Sequence, residues 1–386
     1  MTSAWHAYLI APLQPLVFRS GRPFGSGVGP DGGAFPLPSS SAGLLRTVYA
    51  QQKQPVPVYA REELAAIAQR GPFLARLSHE LQGVTLAELY VPKSADALYL
   101  DTEDGGFTVE RLAPQPLPGN AGCDLPAGLL PVQTRNPVKA KPAAGPAYWP
   151  WSAFLRWQAG EPICQADLEK HALPATTVRT HVAIDGATLA SEEGRLFQTQ
   201  ALDYGPSPPD GWSSWGFFAL STASLAAQAV IFGGERRLSR LHPLPDTGAL
   251  PFAPGDGLPQ AAPLRGLRVT LLTPAIFHRG FVPGWLDERL EGRPPDAAEG
   301  VRLRLVAVAC ERWIPVSGWD LAEQKPKAMR KAVAAGAVYW FQVLDGESDA
   351  VWRAVHGAVL SDAAEDRSEG FGMAWAAPWE DPMAQD

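Results

Sequence analysis

The stretch 178–202, VRTHVAIDGATLASEEGRLFQTQAL, constrains the fold more than any other part of this chain. Val178, Thr180, Val182 and Ile184 alternate with Arg179, His181 and Asp185, the period of two of a half-buried strand. After a small, acidic, Gly-containing middle, Arg195, Phe197 and Thr199 alternate with Leu196, Gln198 and Gln200. Two such runs predict an antiparallel hairpin with a long tip, carrying Arg179, His181 and Arg195 in a small area. Cations and donors so placed can track a phosphate backbone. A hairpin that only extends a sheet has the same pattern.

Further strands are expected at 5–15, 86–91, 97–101, 107–112, 215–220, 228–232, 265–273, 301–309, 336–343 and 371–376. Ser39, Ser40 or Ser41 can cap a helix whose apolar stripe is Leu44, Leu45 and Val48. Shorter helices fit 61–69, 149–158, 165–171 and 349–360. The segments 18–38, 114–146 and 243–263 are rich in Gly and Pro. The totals of 37 Gly and 38 Pro demand many turns and oppose long helical bundles. Strands and helices mix without regular βαβα alternation, so the fold class is α+β. A chain of 386 residues exceeds one small core and predicts two domains.

The net charge of −7 opposes free, nonspecific nucleic-acid binding, which needs a strong positive field, but it allows a confined basic groove. Three basic clusters stand out. In VFRSGRPFGSG, Arg19 and Arg22 follow a strand, among Gly21, Gly25 and Gly27. Those glycines permit close backbone approach to an anion, although neither a Walker loop nor a dinucleotide fingerprint is present. In IFGGERRLSR a strand ends at Gly233 and Gly234, before Glu235, Arg236, Arg237 and Arg240, and Gly234 is expected at positive φ. The third cluster, Lys325, Lys327, Arg330 and Lys331, suits RNA, an acidic protein or plain solvation. EGFGMAW, with Gly370 and Gly372, reads as an ordinary turn. The 13 Trp residues belong mostly in the core; as stacking platforms each is worth about 1–3 kcal/mol per base.

Catalytic and metal chemistry find little support. Cys123, Cys164 and Cys310 lack C-x-x-C spacing, so no zinc site, and no cofactor, is expected. The seven His residues are scattered, and H-E-x-x-H and G-x-S-x-G are absent. His181 can be imagined as a general base, but a hydrogen-bonding role suits it better. No signal peptide or membrane span is indicated, and a reducing cytoplasmic setting is the expectation.

Several of these pieces occur in a familiar order: VFRSGRPFG, LPSSSAGLLRT, the hairpin segment, FGGERR, LLTPAIFHRGFVPGW and AAGAVYWFQ. From about residue 8 to 372 the chain resembles the RAMP-superfamily subunit that caps the crRNA 5′ end in type III-B (Cmr-type) CRISPR effector complexes of antiviral defence. The resemblance implies two RRM-like (ferredoxin-like) domains packed around a cleft, at 1–225 and 226–386, with the hairpin as a protruding thumb. It implies a non-catalytic RNA-binding subunit that holds the crRNA 5′ handle. Its partners would be the large polymerase/cyclase-like subunit and the adjacent RAMP backbone subunit, with target RNA met only indirectly and no membrane contact.

By the same resemblance, Arg19, Arg22 and Phe24 fall in the arginine loop, and Ser40, Gly43, Arg46 and Thr47 in the first helix. Arg179, His181 and Arg195 fall in the thumb, and Gly233, Gly234, Arg236 and Arg237, with Glu235, in the second-domain loop. The Gly370/Gly372 loop departs from the superfamily pattern, lacking the later glycine and its basic neighbours. Apolar surface around Trp313, Trp319 and Trp340 would suit a permanent interface. Two alternatives stay open: a metal-independent RAMP endoribonuclease acting on precursor crRNA through His181 or His6, and a protein-only adaptor.

Overall fold

The computed structural model describes residues 5–18, 31–32, 35–53, 61–81, 83–117, 119, 121–205, 213–245, 252, 263–320 and 325–380. Most regular structure is strand, in several mainly antiparallel sheets with few helices, an α+β chain. It divides into two compact units: 1–89, 172–246 and 315–330; and 90–171, 247–314 and 331–386. Residue 225, the expected boundary, lies within the first unit, between two strands of one sheet.

In the first unit the sheet order is Gln228–Ile231, Leu238–Pro243, His6–Pro12, Ser213–Ser221, Gln69–Glu80, Gly83–Pro92. The apolar run Tyr8, Leu9 and Ile10 is wholly buried, as a central strand covered on both faces requires. Helix Pro38–Lys53 buries Leu44, Leu45 and Val48, the predicted stripe. It begins at Pro38, whose fixed φ suits the first helical position and whose missing N–H costs nothing there. Ser39, Ser40 and Ser41 therefore lie inside the helix and none caps it. The Ser41 hydroxyl instead donates to the Pro38 carbonyl (3.0 Å) and to Gln69 Oε1 (3.1 Å).

Strand Gln69–Glu80 is the longest element that periodicity misses, and Leu238–Pro243 in the same sheet is another. Arg70 and Arg76 are both buried in the former, which breaks the apolar alternation. Indole faces receive them: Arg70 lies 4.8 Å from the Trp5 ring and Arg76 5.3 Å from the Trp215 ring. Ala175–Ile184 and Ser191–Asp203 form the expected ribbon, with Asp31–Gly32 added in parallel beside Thr199 and Gln200.

In the second unit the sheet order is Glu291–Gly292, Arg302–Ala309, Val338–Asp345, Gly266–Leu271, Ala374–Pro378, antiparallel throughout. One face carries Leu267, Val269, Leu303, Leu305, Tyr339 and Phe341 against helix Ser348–Val355. The other carries Ala307, Val338 and Trp340 against Leu130, Val132 and Trp379. Burial on both faces explains why these strands read as nearly unbroken apolar runs. Among the described residues no helix is long and apolar enough to cross a membrane.

Candidate nucleic-acid interface

Arg19, Arg22 and Phe24 lie outside the described residues, but both ends of their loop are fixed. Before it, Leu16 and Leu202 exchange backbone hydrogen bonds of 2.9 Å at the base of the ribbon. After it, Asp31 and Gly32 pair with Thr199 and Gln200, two or three residues further along the same ribbon strand. The ribbon base thus brackets the arginine loop.

The FGGERR turn meets the same place. The Gly234 N–H donates to the Val17 carbonyl (2.7 Å), and Phe232 packs on Phe18 with ring centroids 5.0 Å apart. Phe18, Phe35, Tyr204 and Phe232 all abut Phe217, so one aromatic cluster seats the turn, the loop entry and the ribbon base. Glu235 and Arg236 both hold positive φ, 56° and 53°, the two central positions of a type I′ hairpin turn. That turn normally takes Asn-Gly; here it projects an exposed Arg236 instead. Arg237 faces inward and is neutralised by Glu235 at 2.5 Å. The turn glycine is Gly233 (φ +83°); positive φ does not occur at Gly234, which corrects the expectation there.

On the ribbon, Arg179 stands opposite Thr199, and His181 Nε2 is 2.8 Å from Thr199 Oγ1. Arg179 and His181 therefore share one face. Arg195 stands at the edge of a bulge on the partner strand. The register shifts between Ser191 and Leu196 through a bulge containing Gly194 at φ +73°, and Arg195 pairs with Glu192 at 2.9 Å. Arg195 lies two residues, about 7 Å at ~3.3 Å per residue, from Phe197, the partner of His181. At the tip, the Thr188 N–H and hydroxyl and the Ala187 N–H donate to Asp185, holding its carboxyl below the usual range.

On helix Pro38–Lys53 the motif residues Arg46 and Thr47 make contacts within the fold. Arg46 caps the short helix Arg61–Ala66 by donating to the Ala65 and Ile67 carbonyls (3.4 and 3.1 Å), and the Thr47 hydroxyl donates to the Gly43 carbonyl (2.7 Å). Both are occupied within the fold. Ser40 is half-buried, and Gly43 is exposed with nothing within 4 Å of where a Cβ would sit. Sequence reasoning missed Gln69, whose buried amide donates to the Pro38 and Gly71 carbonyls (3.1 Å each) and sets the start of this helix on the sheet. A lone Gln beside two unexpected arginines carries no readable signal.

Elsewhere, Trp340 is buried and cannot offer surface, because it forms the second unit's inner packing; Trp313 and Trp319 are more than half exposed. Lys331 sits 4.9 Å from the Trp313 ring. The Gly372 backbone is packed against Ser361, 2.7 Å from where its Cβ would be, as a structural turn demands. All three cysteines are free and exposed, and among the described residues no group of three metal-ligating side chains gathers.

Two cryo-EM structures of the Type III-B Cmr-beta bound to cognate target RNA, one also with AMPPnP, each contain a chain 15% identical to this one, with 86% of either chain covered and a TM-score of 0.44. No curated protein matches the chain. The family of the CRISPR-associated protein Cas_Cmr3 matches residues 8–379. Because that match spans nearly the whole sequence, the chain belongs to the Cas_Cmr3 family of CRISPR-associated proteins.

Proposed function

We propose that the chain is a non-catalytic, RNA-binding subunit of a type III-B CRISPR effector complex that holds the 5′ handle of the crRNA. In this role it pairs with the large polymerase/cyclase-like subunit, abuts the first RAMP backbone subunit and meets target RNA only indirectly. The observation that carries the proposal is convergence. The ends of the arginine loop, the strained turn bearing Arg236, and the ribbon base below Arg179 and His181 share one aromatic seat in an otherwise acidic chain. Residues held at positive φ against their preference cluster at functional sites, and Arg236 is such a residue.

Strand order supports two ferredoxin-like modules. With 6–12, 69–80, 213–221 and 238–243 taken as strands 1 to 4, the first sheet runs 4-1-3-2. The strands 266–271, 302–309, 338–345 and 374–378 give the same order in the second unit. Each unit keeps one crossover helix, Pro38–Lys53 and Ser348–Val355 respectively.

The test uses the full chain in its assembled complex. Arg19→Ala/Arg22→Ala is expected to lower guide content while the protein stays folded. Handle affinity should lose salt dependence by about 0.7 in log–log slope for each phosphate contact removed. Unchanged guide content and slope would reject the proposal. Incubation with precursor repeat RNA and no metal should leave the RNA intact. A discrete product lost in His181→Ala would replace the scaffold with an endoribonuclease, against the engagement of His181 Nε2 by Thr199.

Gly43 gives a second, separable prediction. Glycine inside a helix costs about 0.5–1 kcal/mol relative to alanine. Since a Cβ at Gly43 meets nothing, Gly43→Ala should raise thermal stability by that amount. In the proposed role the bare backbone admits an RNA strand, so the same variant should bind handle RNA more weakly. A stabilised variant with unchanged RNA affinity would take Gly43 out of the site.

A further inference from the structure

At the open edge of the first unit's sheet, three aliphatic side chains form one row across three strands. Ile231 pairs with Leu238, and the Leu13 N–H donates to the Leu238 carbonyl (3.0 Å), directly after the Pro12–Ser239 pair. Leu13, Leu238 and Ile231 are 58%, 43% and 56% exposed. Single exposed leucines are ordinary; a row on one sheet face is a patch. The next row on that face is Ala11, Arg240 and Ala229, with Arg240 exposed at its centre. Among the described residues of these three strands the face holds no carboxylate, so Arg240 has no acidic neighbour there.

We propose that this face docks a partner protein segment that presents aliphatic side chains to the Leu13–Leu238–Ile231 row and a carboxylate to Arg240. A nucleic acid fits less well: the row has no aromatic ring for a base to stack on, and one arginine does not make a phosphate track. A second copy of this chain fits poorly too. A two-fold contact over the row would bring Arg240 towards its own copy. An aliphatic centre with a charged group to be matched is the composition of a protein–protein contact. The docking goes beyond handle binding and uses none of the residues assigned to it.

The experiment places a photo-crosslinking residue at Leu238 of the full chain in its native assembly, with the crosslinked peptide mapped by mass spectrometry. The expected product is a different protein, joined within a segment that carries both aliphatic and Asp or Glu residues. Arg240→Glu should cut its yield by about tenfold or more, as opposing a matched charge does. Leu238 and Arg240 are exposed, so both variants should melt with the parent chain. A crosslink to RNA, to a second copy or to a segment without carboxylates would overturn the proposal, as would no crosslink or a yield indifferent to Arg240→Glu.

Discussion

Gly233→Val should lower the melting temperature and deplete the chain from its assembly, whereas Gly234→Ala should do much less of either. Gly233 holds φ +83°, where a β-branched residue is a severe outlier. Such a conformation costs about 1–3 kcal/mol before any contact is considered. Contact adds to it: a Cβ at Gly233 would lie 2.8 Å from the Val17 carbonyl oxygen and 3.2 Å from the Phe18 ring. That oxygen already accepts from the Gly234 N–H, so backing away breaks the hydrogen bond joining the FGGERR turn to the arginine-loop entry. Gly234 has no positive φ, and its Cβ would stand 3.3 Å from the same oxygen, a gap that small shifts relieve. Thermal unfolding of the two variants beside the parent decides the matter. Equal melting temperatures for Gly233→Val and the parent would mean that the turn does not need its left-handed glycine.

What the sequence disclosed follows from where side chains face. The ribbon was legible because it stands largely in solvent, so its alternation is not overwritten by packing. Its bulge was not legible, since extra residues around Gly194 leave the composition unchanged while setting Arg195 against Glu192. Strand Gln69–Glu80 was hidden for the opposite reason. Its arginines are buried, and only the three-dimensional placement of Trp5 and Trp215 makes that tolerable. The start of the first helix turned on Pro38 rather than on the serines one to three residues after it, signals that favour different first turns. In the candidate site, glycines and arginines marked the loops but not which side chains the fold itself engages. Arg46 and Arg237 serve the fold, Arg179 and Arg236 remain exposed, and Gln69 is a positioning residue known only from its contacts.

Asp96→Ala should be among the most damaging single changes in the second unit. Asp96 is fully buried, and its carboxylate accepts from Trp157 Nε1 (2.8 Å) and Arg268 (3.0 Å), with Arg111 at 3.6 Å. Arg268, itself buried, also donates to the Trp157 carbonyl (3.1 Å) and to Gln158 Oε1 (2.9 Å), while Arg111 donates to the Trp157 carbonyl at 2.7 Å. The two guanidinium groups thus satisfy carbonyl density at the end of helix Trp151–Gln158, where the helix dipole favours positive charge. Removing the carboxylate strands Arg268 in the interior, a loss of about 3–5 kcal/mol for a broken buried pair, against total stabilities of about 5–15 kcal/mol. Asp96→Asn should cost less, because an amide oxygen can still accept from Trp157. Asp96→Leu/Arg268→Met should recover part of the loss, since apolar groups replace a buried pair more cheaply than half of one. Hydrogen exchange in 151–158 is the direct readout, because a chain with two units need not melt in one step. If those amides stay as protected in Asp96→Ala as in the parent, the network does not hold the helix to strand Gly266–Leu271, and the double variant should then show no recovery.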